Sequence, residues 1–143
     1  MILVDANLLI YAYDASSPRH VAARRWLEGA LVGVEPVRFP LQSVLAFVRI
    51  GTDPRVFERP LDSTEAIAIV ESWLTRPTVG LVTPGEGHWR ILAEVARAGQ
   101  ARGSRLMDAH LAALAIEHGA TLMSADRGFA RFPGLRFRNP IAA

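Results

Sequence analysis

Three aspartates, Asp5, Asp108 and Asp126, stand where a lone carboxylate is hard to accommodate. Asp5 ends the apolar run Met1-Ile2-Leu3-Val4 and Asp126 follows Thr121-Leu122-Met123-Ser124, so each falls just beyond the carboxyl end of a short buried strand. In open parallel sheets that edge is where ligands bind. Asp108 lies in a helical stretch whose spacing puts Leu111, Ala112 and Ala115 on or near its face, residues of a kind that point into a core. A carboxylate there needs a partner. Oxygen ligands alone suit a hard cation, magnesium or manganese, which can polarise a phosphate, lower the pKa of a bound water and stabilise charge on a leaving oxygen. The three side chains together therefore read as a metal site suited to phosphodiester hydrolysis. Singly, each has a plainer reading: Asp5 a turn former, Asp126 an Asx-type cap for a turn at 127–131, and Asp108 an ion-pair partner of Arg105 or Arg102.

The charge balance is mild at +2, but all sixteen positive residues are Arg and none is Lys. Arginine suits bidentate phosphate contacts, although a GC-rich genome would produce the same bias. Arg97, Arg102 and Arg105 precede Asp108, and Arg127, Arg131, Arg136 and Arg138 follow Asp126, so positive charge flanks the acidic positions. Arg127 or Arg131 would hold a neighbouring phosphate. Cysteine is absent, which excludes disulfides and thiolate-ligated zinc or iron–sulfur centres. His20, His88, His110 and His118 have no zinc spacing and carry no site in this reading. The opening MILVDANLLIYAY lacks a basic leading segment and is broken by Asp5 and Asn7, so it reads as neither signal peptide nor membrane span. A cytoplasmic protein is expected.

To position those carboxylates the chain needs a sheet. With 143 residues, half of them hydrophobic, it reads as one domain, 1–143. A strand at 1–5 leads into a helix through Asp14, and Ser17-Pro18 opens another through Glu28. Residues 37–39 form a short strand, followed by a helix from Pro40 to Gly51 with Leu41, Val44, Leu45 and Val48 inward. A helix over 63–75 turns Ile67, Val70, Trp73 and Leu74 inward, and Asp62 with Glu65 reads as its capping box. After a strand at 79–82, Thr83 and Glu86 read as a capping box for a helix closed by Gly99. A helix over 105–118, a strand at 120–123, a helical turn at 127–131 and a strand near 135–137 complete the chain. This alternation implies an α/β fold, a mostly parallel sheet of four to five short strands with helices on both faces. Trp26, Trp73 and Trp89 read as core or interface residues.

VDANLLIYAYD at the start, LMDAHLAALAIEHGATLMSADRGF near the end and LAFVRIGTDPRVF between them resemble the PIN-domain family, and within it the VapC-type toxins of bacterial toxin–antitoxin pairs. The resemblance runs from Met1 to about Pro140. It implies a magnesium- or manganese-dependent endoribonuclease, usually a homodimer, held inactive by a cognate antitoxin. It places Asp5, Asp108 and Asp126 on the family's acidic positions and Asn7 and Ser124 on polar positions beside them. It also implies in-line attack by a metal-activated water, leaving a 5′-phosphate and a 3′-hydroxyl on the RNA.

Two positions depart from the family pattern. Where a glutamate is common in the middle helix this chain reads Leu45-Ala46-Phe47-Val48-Arg49, with Ala46 or Phe47 at the equivalent position. Where an acidic residue often follows the final aspartate by two, it has Gly128. Three carboxylates and water can still hold one magnesium. The departures keep open an alternative: a catalytically weakened PIN fold that binds RNA or a partner.

Overall fold

The computed structural model describes residues 1–142; Ala143, the last residue of the expected domain, lies outside them. Five strands, β1 (Ile2–Val4), β2 (Val37–Pro40), β3 (Val79–Val82), β4 (Thr121–Met123) and β5 (Phe137–Arg138), form one sheet in the order β3-β2-β1-β4-β5. Every pairing is parallel. β1 is central because both its faces are apolar. Ile2 and Val4 enter one core cluster and Leu3 the other, as the two-residue period of a strand requires. Helices α1 (Ala6–Tyr13), α2 (His20–Val32), α3 (Leu41–Gly51) and α4 (Ser63–Leu74) cover the first face, and α5 (His88–Ala98) and α6 (Arg105–Glu117) the second. Among the described residues no helix is long and apolar enough to cross a membrane.

Connections run from β1 outward to β2 and β3, then return to the other side of β1 for β4 and β5. The order therefore reverses between β1 and β4, and the carboxyl ends of those two strands border the crevice where such sheets bind ligands. Asp5 and Ser124 are the residues immediately after them. Alanine makes the crevice reachable from α6: Ala109, Ala112, Ala113 and Ala115 are buried against the sheet and let the helix approach closely. Gly119 takes the left-handed conformation (φ 64°) that closes α6, as expected of a glycine after a helix.

Several helix faces differ from the periodic reading. On α3 the buried residues are Ser43, Val44, Phe47 and Gly51, while Leu41 and Leu45 are 49% and 59% exposed. Phe47 sets this rotation by packing against Tyr13 and Trp73, with ring centroids 5.3 and 5.1 Å away. On α4 the buried positions are Ala66, Val70 and Trp73, with Ile67 exposed, because Trp73 anchors the same aromatic cluster. The Asp62–Glu65 capping box is present. Trp73 is core, Trp26 packs at the core's edge and Trp89 is exposed.

The Thr83–Glu86 capping box does not form; α5 begins at His88 after Gly87 with no side-chain cap. The loop is instead tied to α6. Glu117 Oε2 accepts the Gly85 N–H at 2.7 Å, and Glu117 Oε1 accepts from His88 Nδ1 at 2.9 Å. His88 Nε2 lies 2.8 Å from His110 Nδ1, so with both rings neutral His110 donates to His88. Two of the four histidines read as inert thus form a lock between α5 and α6. It spans positions with no sequence proximity, and no local spacing announces it.

The lock gives stability a pH dependence. Burial, then the neighbouring His88, lowers the His110 pKa. Burial pushes Glu117 up, but hydrogen bonds from His88 and Gly85 outweigh it, and its pKa is lowered overall. Between the depressed His110 pKa and the ordinary value near 6.5, the unfolded chain binds a proton that the folded chain does not. Stability therefore falls as pH drops through that window, and the Glu117 contribution, present above its unfolded pKa, is lost as pH falls further. Asp5 and Asp108, whose pKa values are raised, act in the opposite sense. Urea unfolding from about pH 7 to about pH 5 should show a loss of stability that is shallower in His110→Asn. An identical slope in that variant would remove His110 as its source.

Candidate active site

Asp5 continues the sheet ladder by donating its backbone N–H to Met123 O at 2.9 Å, and it occupies the N-cap position of α1. Aspartate is a good cap, yet its side chain makes no capping bond there. It turns instead to Ser124, whose Oγ donates to Asp5 Oδ2 at 2.7 Å. Ser124 is fully buried, and its hydroxyl also accepts from Asn7 Nδ2 at 3.2 Å and from the Asp126 N–H at 3.0 Å. Asn7 Oδ1 in turn accepts the Ala125 N–H at 3.3 Å. Asn7 and Ser124 thus stitch the start of α1 to the end of β4. They fix the Asp5 rotamer and aim the segment carrying Asp126.

Asp126 does two jobs. Its Oδ1 accepts the Gly128 N–H at 2.8 Å, capping the 3-10 turn Arg127–Arg131, so the Asx-cap reading holds for that oxygen. Its Oδ2 faces Arg105 Nη1 at 3.3 Å. Asp108, in the first turn of α6 where the helix dipole favours a carboxylate, receives the same Nη1 at 2.8 Å through Oδ2. The ion pair of Asp108 with Arg105 is therefore real, and it extends to Asp126, which the spacing within α6 did not announce.

The electrostatics link all three. Burial raises the Asp5 pKa against the lowering effects of Ser124 and the Ala6 N–H, with Asp108 and Asp126 adding further upward pressure. Asp108 is likewise raised by burial and by Asp126, opposed by Arg105 and by Arg131. Asp108 and Asp126 thus add to the cost of ionising Asp5, and Asp126 adds to that of Asp108, as expected of groups sharing a site. Arg131, on the 3-10 turn, is exposed yet close enough to act on Asp108, and Arg127 is exposed. Among the described residues no three His, Cys, Asp or Glu side chains are drawn together at ion-binding distance. A guanidinium lies against two of the three aspartates. The all-oxygen donor set and this stand-in positive charge both fit a hard cation.

Residues 42, 45, 46 and 49 of α3 and Met107, which precedes Asp108, line a groove of about 530 Å³. Ala46 is thus on the groove side of α3, whereas Phe47 is fully buried in the core. Position 46 is the one from which an acidic side chain would reach toward α6.

Replacing Ser124 with Ala leaves Asp5, Asn7 and the Asp126 N–H short of a partner. A stability loss of about 1–3 kcal/mol is expected, with an activity loss of roughly 10- to 100-fold, the usual effect of removing a group that orients ligands. Thermal melting and a cleavage assay on one preparation test this; wild-type behaviour in both would remove Ser124 from the site.

Residues 2–135 match the profile of the PIN domain. The chain belongs to the PIN-domain family. Among its PIN relatives are the ribonuclease VapC37 of Mycobacterium tuberculosis, 44% identical with 99% of each chain covered, and the ribonuclease VapC43 of the same organism, 40% identical over 99% of this chain and 96% of the relative. The PIN fold recurs in the crystal structure of VapC20 from Mycobacterium tuberculosis, a sarcin–ricin loop cleaving toxin. That match has a TM-score of 0.66 and 16% identity, and covers 95% of this chain and 99% of the other. It recurs again in VapBC2 from Rickettsia felis bound to a promoter DNA fragment, with a TM-score of 0.68, 17% identity, and 97% and 98% coverage.

Proposed function

We propose that this PIN-domain protein is a metal-dependent endoribonuclease, the toxin of a toxin–antitoxin pair acting in the cytosol. The observation that carries the reading is the convergence of Asp5, Asp108 and Asp126 at the switch point of the sheet, where Asp108 and Asp126 raise the cost of ionising Asp5 and Asp126 raises that of Asp108. VapC ribonucleases at up to 44% identity over nearly the whole chain support RNA as the substrate class. Asp5, Asp108 and Asp126 would hold one Mg²⁺ or Mn²⁺. When bound, such an ion supplies a nucleophilic water at neutral pH and stabilises charge on the scissile phosphate. Ser124 and Asn7 hold Asp5 in place for it. Arg127 and Arg131, exposed on the turn after Asp126, would pair with flanking RNA phosphates without reading sequence. A homodimer and an antitoxin are the proposed partners, the antitoxin covering the acidic cleft with an Arg or Lys of its own.

Ala46, Gly128 and the engagement of two aspartates by Arg105 favour a second reading, a catalytically weakened module that binds RNA or a partner. Incubation of purified protein with RNA in EDTA, then with Mg²⁺ or Mn²⁺, separates the two. The first reading expects cleavage only with the metal and products ending in 5′-phosphate. RNA binding with no cleavage at millimolar metal would establish the second.

A further inference from the structure

α6 opens on Arg105, a cation at the end of a helix where the backbone dipole disfavours positive charge. What holds it there is the acidic cluster: one nitrogen, Nη1, donates to Asp108 at 2.8 Å and to Asp126 at 3.3 Å. Gly128 supplies the space. A Cβ at that position would overlap the Arg105 guanidinium, so any other residue would push it from its seat. The Gly128 N–H meanwhile fixes the other oxygen of Asp126.

We propose that Arg105 is a tethered counter-ion that occupies the cation position between Asp108 and Asp126 and competes there with the divalent ion. This rests on the metal-site reading above. A single guanidinium neutralises only part of the charge of three carboxylates, and the pair is partly exposed, so an ion with two charges can displace it. The arginine bridges two carboxylates that would otherwise repel, and its departure is part of the free energy of metal binding. Glycine at 128 is the structural condition for this arrangement.

The test is calorimetric titration of Mn²⁺ into the whole protein and its variants. Arg105→Met should bind Mn²⁺ about fivefold more tightly or better, because no internal cation has to leave. Its metal-free melting temperature should fall below that of the wild type and be recovered by Mn²⁺. Gly128→Ala, which keeps the arginine but evicts it, should also tighten binding, and in the Arg105→Met background it should add nearly nothing. Unchanged or weaker Mn²⁺ affinity in Arg105→Met, with clear binding by the wild type, overturns the proposal and leaves the metal site standing. Absence of Mn²⁺ binding in every protein overturns both. If Arg105→Met fails to fold, unchanged affinity in Gly128→Ala overturns the proposal by itself.

Discussion

Asparagine in place of Asp5, Asp108 or Asp126 is expected to reduce RNA cleavage by roughly 100-fold or more at each position, the scale of loss when one preorganised electrostatic partner is removed. Folding should survive. Asp5 and Asp108 are held by burial above their ordinary pKa, so ionising them costs native stability, and a neutral isostere removes that cost. The metal-free melting temperature of Asp5→Asn should therefore equal or exceed that of the wild type even as activity disappears. Combined substitutions should add little further loss, because the three act on one ion. Cleavage and melting measured on the same preparations check this. Undiminished cleavage in any one variant removes that residue from the site.

The second large effect separates two neighbours on α3. Phe47 is fully buried against Tyr13 and Trp73, so Phe47→Glu should unfold the protein or cost about 3–5 kcal/mol or more through a lost aromatic and an unpaired buried charge. Ala46 lines the groove beside Met107. Ala46→Glu should fold normally and add a fourth carboxylate toward the cluster, lowering the Mg²⁺ concentration needed for cleavage. Arg49, one turn on, faces the same groove and will blunt the gain. Metal titration of cleavage, with urea unfolding of both variants, checks the pair. A stable Phe47→Glu protein with improved metal dependence would assign the missing acidic position to 47.

The parts of the fold that follow from local chemistry were legible in the sequence. Short apolar runs bounded by polar residues predict the strands, Asp62 with Glu65 caps α4 as its spacing implies, and Gly119 stops α6. What periodicity could not supply is rotation. Leu41 and Leu45 carry the correct spacing for an inward stripe, but the larger Phe47 takes the core and turns them outward. Long-range polar pairing was equally hidden. Glu117 binds a loop 32 residues away, and Thr83 lost its cap to that tie. In the candidate site, strand ends plus the PIN resemblance pointed to the aspartates and to Ser124 and Asn7. The hydrogen bonds that join Ser124 to Asp5, 119 residues apart, belong to sheet order and are invisible to spacing. Arg105 was readable only as a neighbour of Asp108 three residues on. Its second contact, to Asp126, depends on the absence of a side chain at Gly128.

On the proposed reading Asp5, Asp108 and Asp126 together hold one divalent ion. Anomalous diffraction from crystals grown or soaked in Mn²⁺ measures this directly. One manganese peak within about 2.1–2.3 Å of carboxylate oxygens from these aspartates, with Arg105 Nη1 drawn away from Asp108 and Asp126, is the predicted result. A saturating Mn²⁺ soak that leaves Arg105 seated and places no manganese among the three aspartates would contradict the account.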